Sequence, residues 1–133
     1  MAGIPTGTDV LPNGPLEKRA VHVCVDMQNL FAEETAWHTP WMEPGPESAL
    51  RARRAETLVI TGGETDVCVL ASVLGAIDRD YRSVLAADAV CSSSDEIHDA
   101  MMTLYGQRFR QHLDVATVDQ ILHNWNLSEL MER

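Results

Sequence analysis

From residue 21 onward the chain alternates short apolar runs with longer stretches whose apolar positions recur at helical spacing. The runs VHVCVD (21–26), TLVITGG (57–63), SVLAADAV (83–90) and LDVATV (113–118) are rich in β-branched residues and read as strands. Helical periodicity covers Glu47–Ala55, Thr65–Asp80 and Ser94–Tyr105; in the second, Val67, Leu70, Ala71, Leu74 and Ile77 fall on one face. Ser93 with Glu96 makes a capping box, Gly106 stands where a C-cap would, and Thr117 with Gln120 repeats the box before a last short helix. Strands that alternate with helices imply a parallel sheet with right-handed crossovers, covered on both faces, which suits strands that are apolar almost throughout. The pattern therefore predicts a Rossmann-like three-layer α/β/α fold with a mainly parallel sheet of the four strands found.

Residues 1–20 hold three of the six prolines and three of the eight glycines, so an extended N-terminal arm is expected there, with a single domain over 21–133. The least regular stretch, Asn29–Ser48, contains Trp37, Trp41 and three prolines. At 133 residues, with 45% hydrophobic and 23% charged residues, the chain has the composition of one folded domain. Its net charge of -10 would repel phosphate backbones and anionic lipid, so neither nucleic acid nor a membrane surface is expected as a partner. No apolar run approaches the length of a membrane span, and the first twenty residues lack a signal-peptide core, which predicts a cytoplasmic protein. Cys24, Cys68 and Cys91 are widely spaced with no C-x-x-C pair, so neither a disulfide framework nor a zinc site is indicated.

In open parallel sheets, ligands sit beyond the carboxyl ends of the strands, at the switch point where the winding reverses. Asp26 closes the first strand, and Cys68 lies in the first turn of the helix after the tight Gly62-Gly63 turn, so both are expected at that edge. A thiol at a helix N-terminus gains thiolate character from the unpaired N–H groups. A neighbouring carboxylate can take its proton and return it to a leaving amine, while the amides around Glu64 and Cys68 receive an oxyanion. Taken singly, a cysteine on a helix is more often a small buried apolar group, and an aspartate at a strand end a cap.

The segment LVITGGETDVCVLASVLGAIDRDYRSVLAADAVCSSSDEIHDAMMTLY, with the earlier VHVCVDMQNLF, resembles the isochorismatase-like cysteine hydrolases. That family's D-x-Q-x-x-F pattern is matched by Asp26, Gln28 and Phe31, and its G-x-x-T-D-x-C-V pattern by Gly62, Thr65, Asp66, Cys68 and Val69. The resemblance runs from residue 21 to around 122. It implies a non-proline cis peptide at Gly63-Glu64 serving the oxyanion site. It also implies hydrolysis of an amide or ureido C–N bond of a small molecule through a covalent intermediate on Cys68, with Asp26 as general base. The family places a catalytic lysine after the first strand; here the one lysine, Lys18, precedes it. The stretch between the first strand and the Cys68 strand is also shorter than in the family, which leaves VHVCV at the sheet edge and predicts a homo-oligomer.

Gln28, Phe31, Trp37, Trp41 and Thr65 are the expected substrate-binding residues, although aromatic residues in a linker are more often satellite core. Gln28 stands where the metal site of the nicotinamidases would begin with a histidine, and the five histidines are scattered, so no metal is expected. GGETD lacks both G-x-G-x-x-G and a Walker lysine, and no cofactor is expected. Arg51, Arg53 and Arg54 read as the solvated face of a helix, and Cys91 as part of a strand-to-helix turn. Three readings stay open: a cysteine hydrolase of a small amide-like substrate, a non-catalytic member (a small-molecule binding fold or an oligomer subunit) that keeps the same residues as scaffold, and a shortened form of a full-length hydrolase.

Overall fold

A computed structural model of the protein describes residues 11–25 and 50–131, with side chains up to residue 125. Four strands, β1 (Ala20–Val25), β2 (Thr57–Gly63), β3 (Arg82–Cys91) and β4 (Leu113–Ala116), alternate with α1 (Cys68–Asp78), α2 (Asp95–Arg108) and α3 (Val118–Met131). Residues 50–52, within the expected Glu47–Ala55 helix, are helical ahead of β2. All strand pairs are parallel, in the order β1-β2-β3-β4. The fold is the expected parallel α/β/α sheet, and among the described residues β1 is an edge. Because the sheet grows in one direction, the winding does not reverse within these strands, so the expected switch point is not among them.

A sheet extended one way by right-handed crossovers carries its connecting helices on one face. That face is built from Leu58, Ile60, Leu85 and Leu113, on which Val69, Val73 and Ala76 of α1 and Tyr105 of α2 pack. The period of two sends Val59, Val84, Ala86 and Ala116 to the opposite face, where they meet Ile121 of α3 and Leu11 and Leu16 of the N-terminal arm. Full burial of a leucine such as Leu16 contributes about 2 kcal/mol, so the arm is part of the core. Polar contacts fix its path: Leu11 N–H donates to Asn124 Oδ1 (3.2 Å), Asn13 Nδ2 to Asp114 Oδ1 (2.6 Å), and Arg82 Nη1 to the Pro15 carbonyl (3.0 Å). Arg82 Nη2 also reaches the buried Asp114 carboxylate at 3.3 Å.

The boundaries depart from the sequence reading in instructive places. Ser94, not Ser93, caps α2, its hydroxyl accepting from Ile97 N–H. Gly106 lies inside α2, which runs on to Arg108 and is capped by Phe109. Thr117 and Gln120 form the expected reciprocal box at 2.9 and 3.2 Å, but the helix it starts has 14 residues rather than a short run. No helix among the described residues is long and apolar enough to cross a membrane.

Candidate active site

The site grows from the carboxyl end of β2. Val25, the last residue of β1, is paired with Gly62 of β2, and Gly63 with Cys91 at the end of β3. Gly62 has φ +110, and a Cβ built on it would collide with the backbone of Val25. Only glycine therefore lets β1 and β2 close up at this point. The next link, Gly63-Glu64, is a cis peptide, at the position the family resemblance implies.

Glu64 to Val67 then turn the chain into α1, whose first residue is Cys68. The helix begins three residues later than its apolar period suggests, because these residues are held elsewhere. The Glu64 carbonyl accepts from the N–H groups of Val67 (3.1 Å) and Val69 (3.0 Å). Thr65 is fully buried, and each of its polar groups is engaged. Its N–H donates to the Cys91 carbonyl (2.9 Å), its carbonyl accepts from the Tyr105 hydroxyl (2.6 Å), and its Oγ1 lies 2.8 Å from His98 Nδ1. Ser92 Oγ donates to Asp66 Oδ1 (2.7 Å) and Ser93 Oγ to Glu64 Oε2 (3.1 Å). Burial, reinforced by the nearby Asp66 charge, pushes the Tyr105 hydroxyl above the usual tyrosine range and keeps it a donor.

Cys68 emerges exposed at the start of α1, where the N-cap residue Val67 contributes no side-chain hydrogen bond. Gly63 is buried beside Cys91, whose Sγ would lie 3.3 Å from a Cβ at Gly63. Thr65, an expected substrate-binding residue, is buried with all its hydrogen-bonding groups engaged within the protein. Asp26, Gln28, Phe31, Trp37 and Trp41 lie outside the described residues. Tyr105, His98 and Ser92 were not anticipated as parts of the site. The available signal was their spacing: His98 and Tyr105 stand seven apart, two turns along one face of α2.

The chain thus carries a Rossmann-like parallel sheet whose second strand ends in a glycine turn, with an exposed cysteine opening the helix that follows. The isochorismatase domain model matches residues 40–117, more than half of the chain, and the protein belongs to the isochorismatase family. It is 35% identical over 77 residues to the ureidoacrylate amidohydrolase RutB of Methylobacterium radiotolerans, a match covering 57% of this chain and 30% of that protein. Among solved structures, an isochorismatase-like hydrolase from Alkaliphilus metalliredigens is 26% identical with a TM-score of 0.53, over 59% of this chain and 41% of that one. An isochorismatase family protein from Burkholderia thailandensis is 28% identical with a TM-score of 0.53, over 60% and 40%. The chain thus spans less than half the length of each of these relatives.

Proposed function

We propose that the protein is a cysteine hydrolase of a small amide or ureide, with Cys68 as nucleophile. The observation that carries this reading is an exposed thiol at the uncapped start of α1, five residues beyond the end of β2. Membership of a family that includes a ureidoacrylate amidohydrolase supports the choice of an amide-type C–N bond.

In this scheme the Cys68 sulfur attacks the carbonyl carbon as its proton passes to the Asp26 carboxylate. The resulting oxyanion is received by the backbone N–H groups of Glu64 and Cys68. Collapse of the intermediate breaks the C–N bond, and the Asp26 proton leaves with the amine. Water, deprotonated by Asp26, then attacks the thioester, releases the acid and restores the thiol. The end of β1 lies directly against Gly62, which supports bringing Asp26 to the same edge.

A second reading, a ligand-binding member without turnover, is favoured by one observation. Lys18 lies just ahead of β1, at the opposite end of the sheet from Cys68, and β1 is six residues long, about 20 Å. That separation keeps Lys18 from serving as the catalytic lysine. The edge position of β1 also supports self-association, which sedimentation would read.

Ammonia release from ureidoacrylate and from a panel of small primary amides decides between the readings. Turnover should vanish in Cys68→Ala and persist in Cys24→Ala and Cys91→Ala. Equal turnover in Cys68→Ala would refute the nucleophile assignment, and an inactive but ligand-binding wild type would favour the second reading.

A further inference from the structure

We propose that Tyr105 and His98 of α2 are positioning residues that place Cys68 by gripping the buried Thr65; this rests on the reading of Cys68 as nucleophile. Only Glu64 to Val67 separate the end of β2 from Cys68, so whatever fixes this turn fixes the thiol relative to the Gly63-Glu64 peptide. The turn is gripped from outside at consecutive residues, and every grip comes from the end of β3 or from the segment leading through α2. Ser93 holds Glu64, Cys91, His98 and Tyr105 hold Thr65, and Ser92 holds Asp66.

Thr65 is the centre of this frame, being fully buried with its three polar groups directed to three different residues. α2 supplies two of them from positions seven apart on a 14-residue helix, which resists bending between the two grips. A bare structural role for Tyr105 would need only its ring, which is buried against α1 and the sheet. Its hydroxyl, however, meets the one carbonyl whose rotation reorients the Thr65-Asp66 peptide, three residues ahead of Cys68. If the hydroxyl is removed, that buried carbonyl is unpaired, and turning the peptide toward another donor displaces Cys68. Displacements near 1 Å in a reacting group change rates by about a hundredfold.

The test uses iodoacetamide and resolves each cysteine by mass spectrometry, at a temperature where circular dichroism shows each variant folded. Cys24, exposed on β1 and in none of the hydrogen bonds that hold this turn, is the internal reference for global loosening. The Cys68 to Cys24 rate ratio should fall about tenfold in Tyr105→Phe and in His98→Leu. His98→Asn keeps a polar atom near the position of Nδ1 and should restore most of the ratio, a rescue that lost packing alone would not produce. His98 is only half-buried, so this pair carries the test if Tyr105→Phe fails to fold. A ratio constant within about twofold across Tyr105→Phe and His98→Leu overturns the proposal. If the ratio falls but Cys68→Ala keeps full turnover, the nucleophile reading fails and the grip on the turn stands. If the ratio is constant and Cys68→Ala is dead, the positioning role alone is refuted.

Discussion

Replacing Gly62 by alanine should damage the protein more than the added methyl group suggests. The residue sits at φ +110, where a side-chain-bearing residue pays about 1–3 kcal/mol in backbone strain. The new Cβ would also lie 2.6 Å from the Val25 carbonyl carbon and 2.8 Å from its nitrogen, whereas carbon contacts settle at about 3.5–4.0 Å. The Val25 carbonyl oxygen lies closer still, and all three opposing atoms are backbone, so β1 must retreat by more than about 1 Å from β2, an overpacking penalty of about 1–3 kcal/mol. Together these make about 2–6 kcal/mol, a large share of a typical folding free energy of about 5–15 kcal/mol. Gly14 is the control, because at φ +95 it has a comparable backbone conformation but nothing within 4 Å of its would-be Cβ. Gly14→Ala should lose the backbone share alone. Urea melts of both variants give the comparison, with m-values checked for constancy. If Gly62→Ala is no less stable than Gly14→Ala, the collision with β1 is not real and the close approach of these strands at the site is wrong.

The Tyr105 hydroxyl is held protonated by burial and then by Asp66, so its folded pKa lies above the unfolded value of about 10. Below that pH both states keep the proton; above it the unfolded chain ionises first and gains free energy, so wild-type stability falls as the solution turns alkaline. Tyr105→Phe should lack this part of the alkaline decline, while losing about 1–3 kcal/mol at neutral pH for the unpaired Thr65 carbonyl, and identical slopes between pH 9 and 11 would contradict the assignment. Asp114→Ala strips a buried carboxylate from Arg82 and Asn13 and should cost about 3 kcal/mol, whereas Arg19→Ala breaks a pair with both partners half-exposed and should cost below about 1 kcal/mol. Chemical denaturation of both variants tests that order, and a reversal would refute it.

Much of the fold was legible because its determinants are local. The four apolar runs give the strands, and the Thr117-Gln120 box marks the start of α3, since both signals lie within a few residues of sequence. Where local signals compete, the reading slipped: Ser93 and Ser94 are equally able caps, and Gly106 is tolerated inside α2 because the helix gains more by continuing to Arg108. The site divides in the same way. Cys68 and the Gly63-Glu64 link could be located from a contiguous motif, whereas the hold of Tyr105 and His98 on Thr65 spans 40 and 33 residues, and no local pattern encodes it. The partners of Thr65 were hidden for the same reason, since they come from α2 and the end of β3.

The consecutive order of the strands also bears on how the chain acquires its fold. Each described strand after β1 pairs with the one synthesised just before it, so the sheet can extend as the chain emerges, across crossovers of 31, 18 and 21 residues. The N-terminal arm is the exception. Leu11 donates to Asn124, 113 residues away, and Leu16 shares its cluster with Ile121. Leu11 therefore has to wait for its partner until α3 exists, whereas Leu16 and Pro15 can already settle on Val59, Val84 and Arg82 once β2 and β3 have formed, so the arm is seated in two stages.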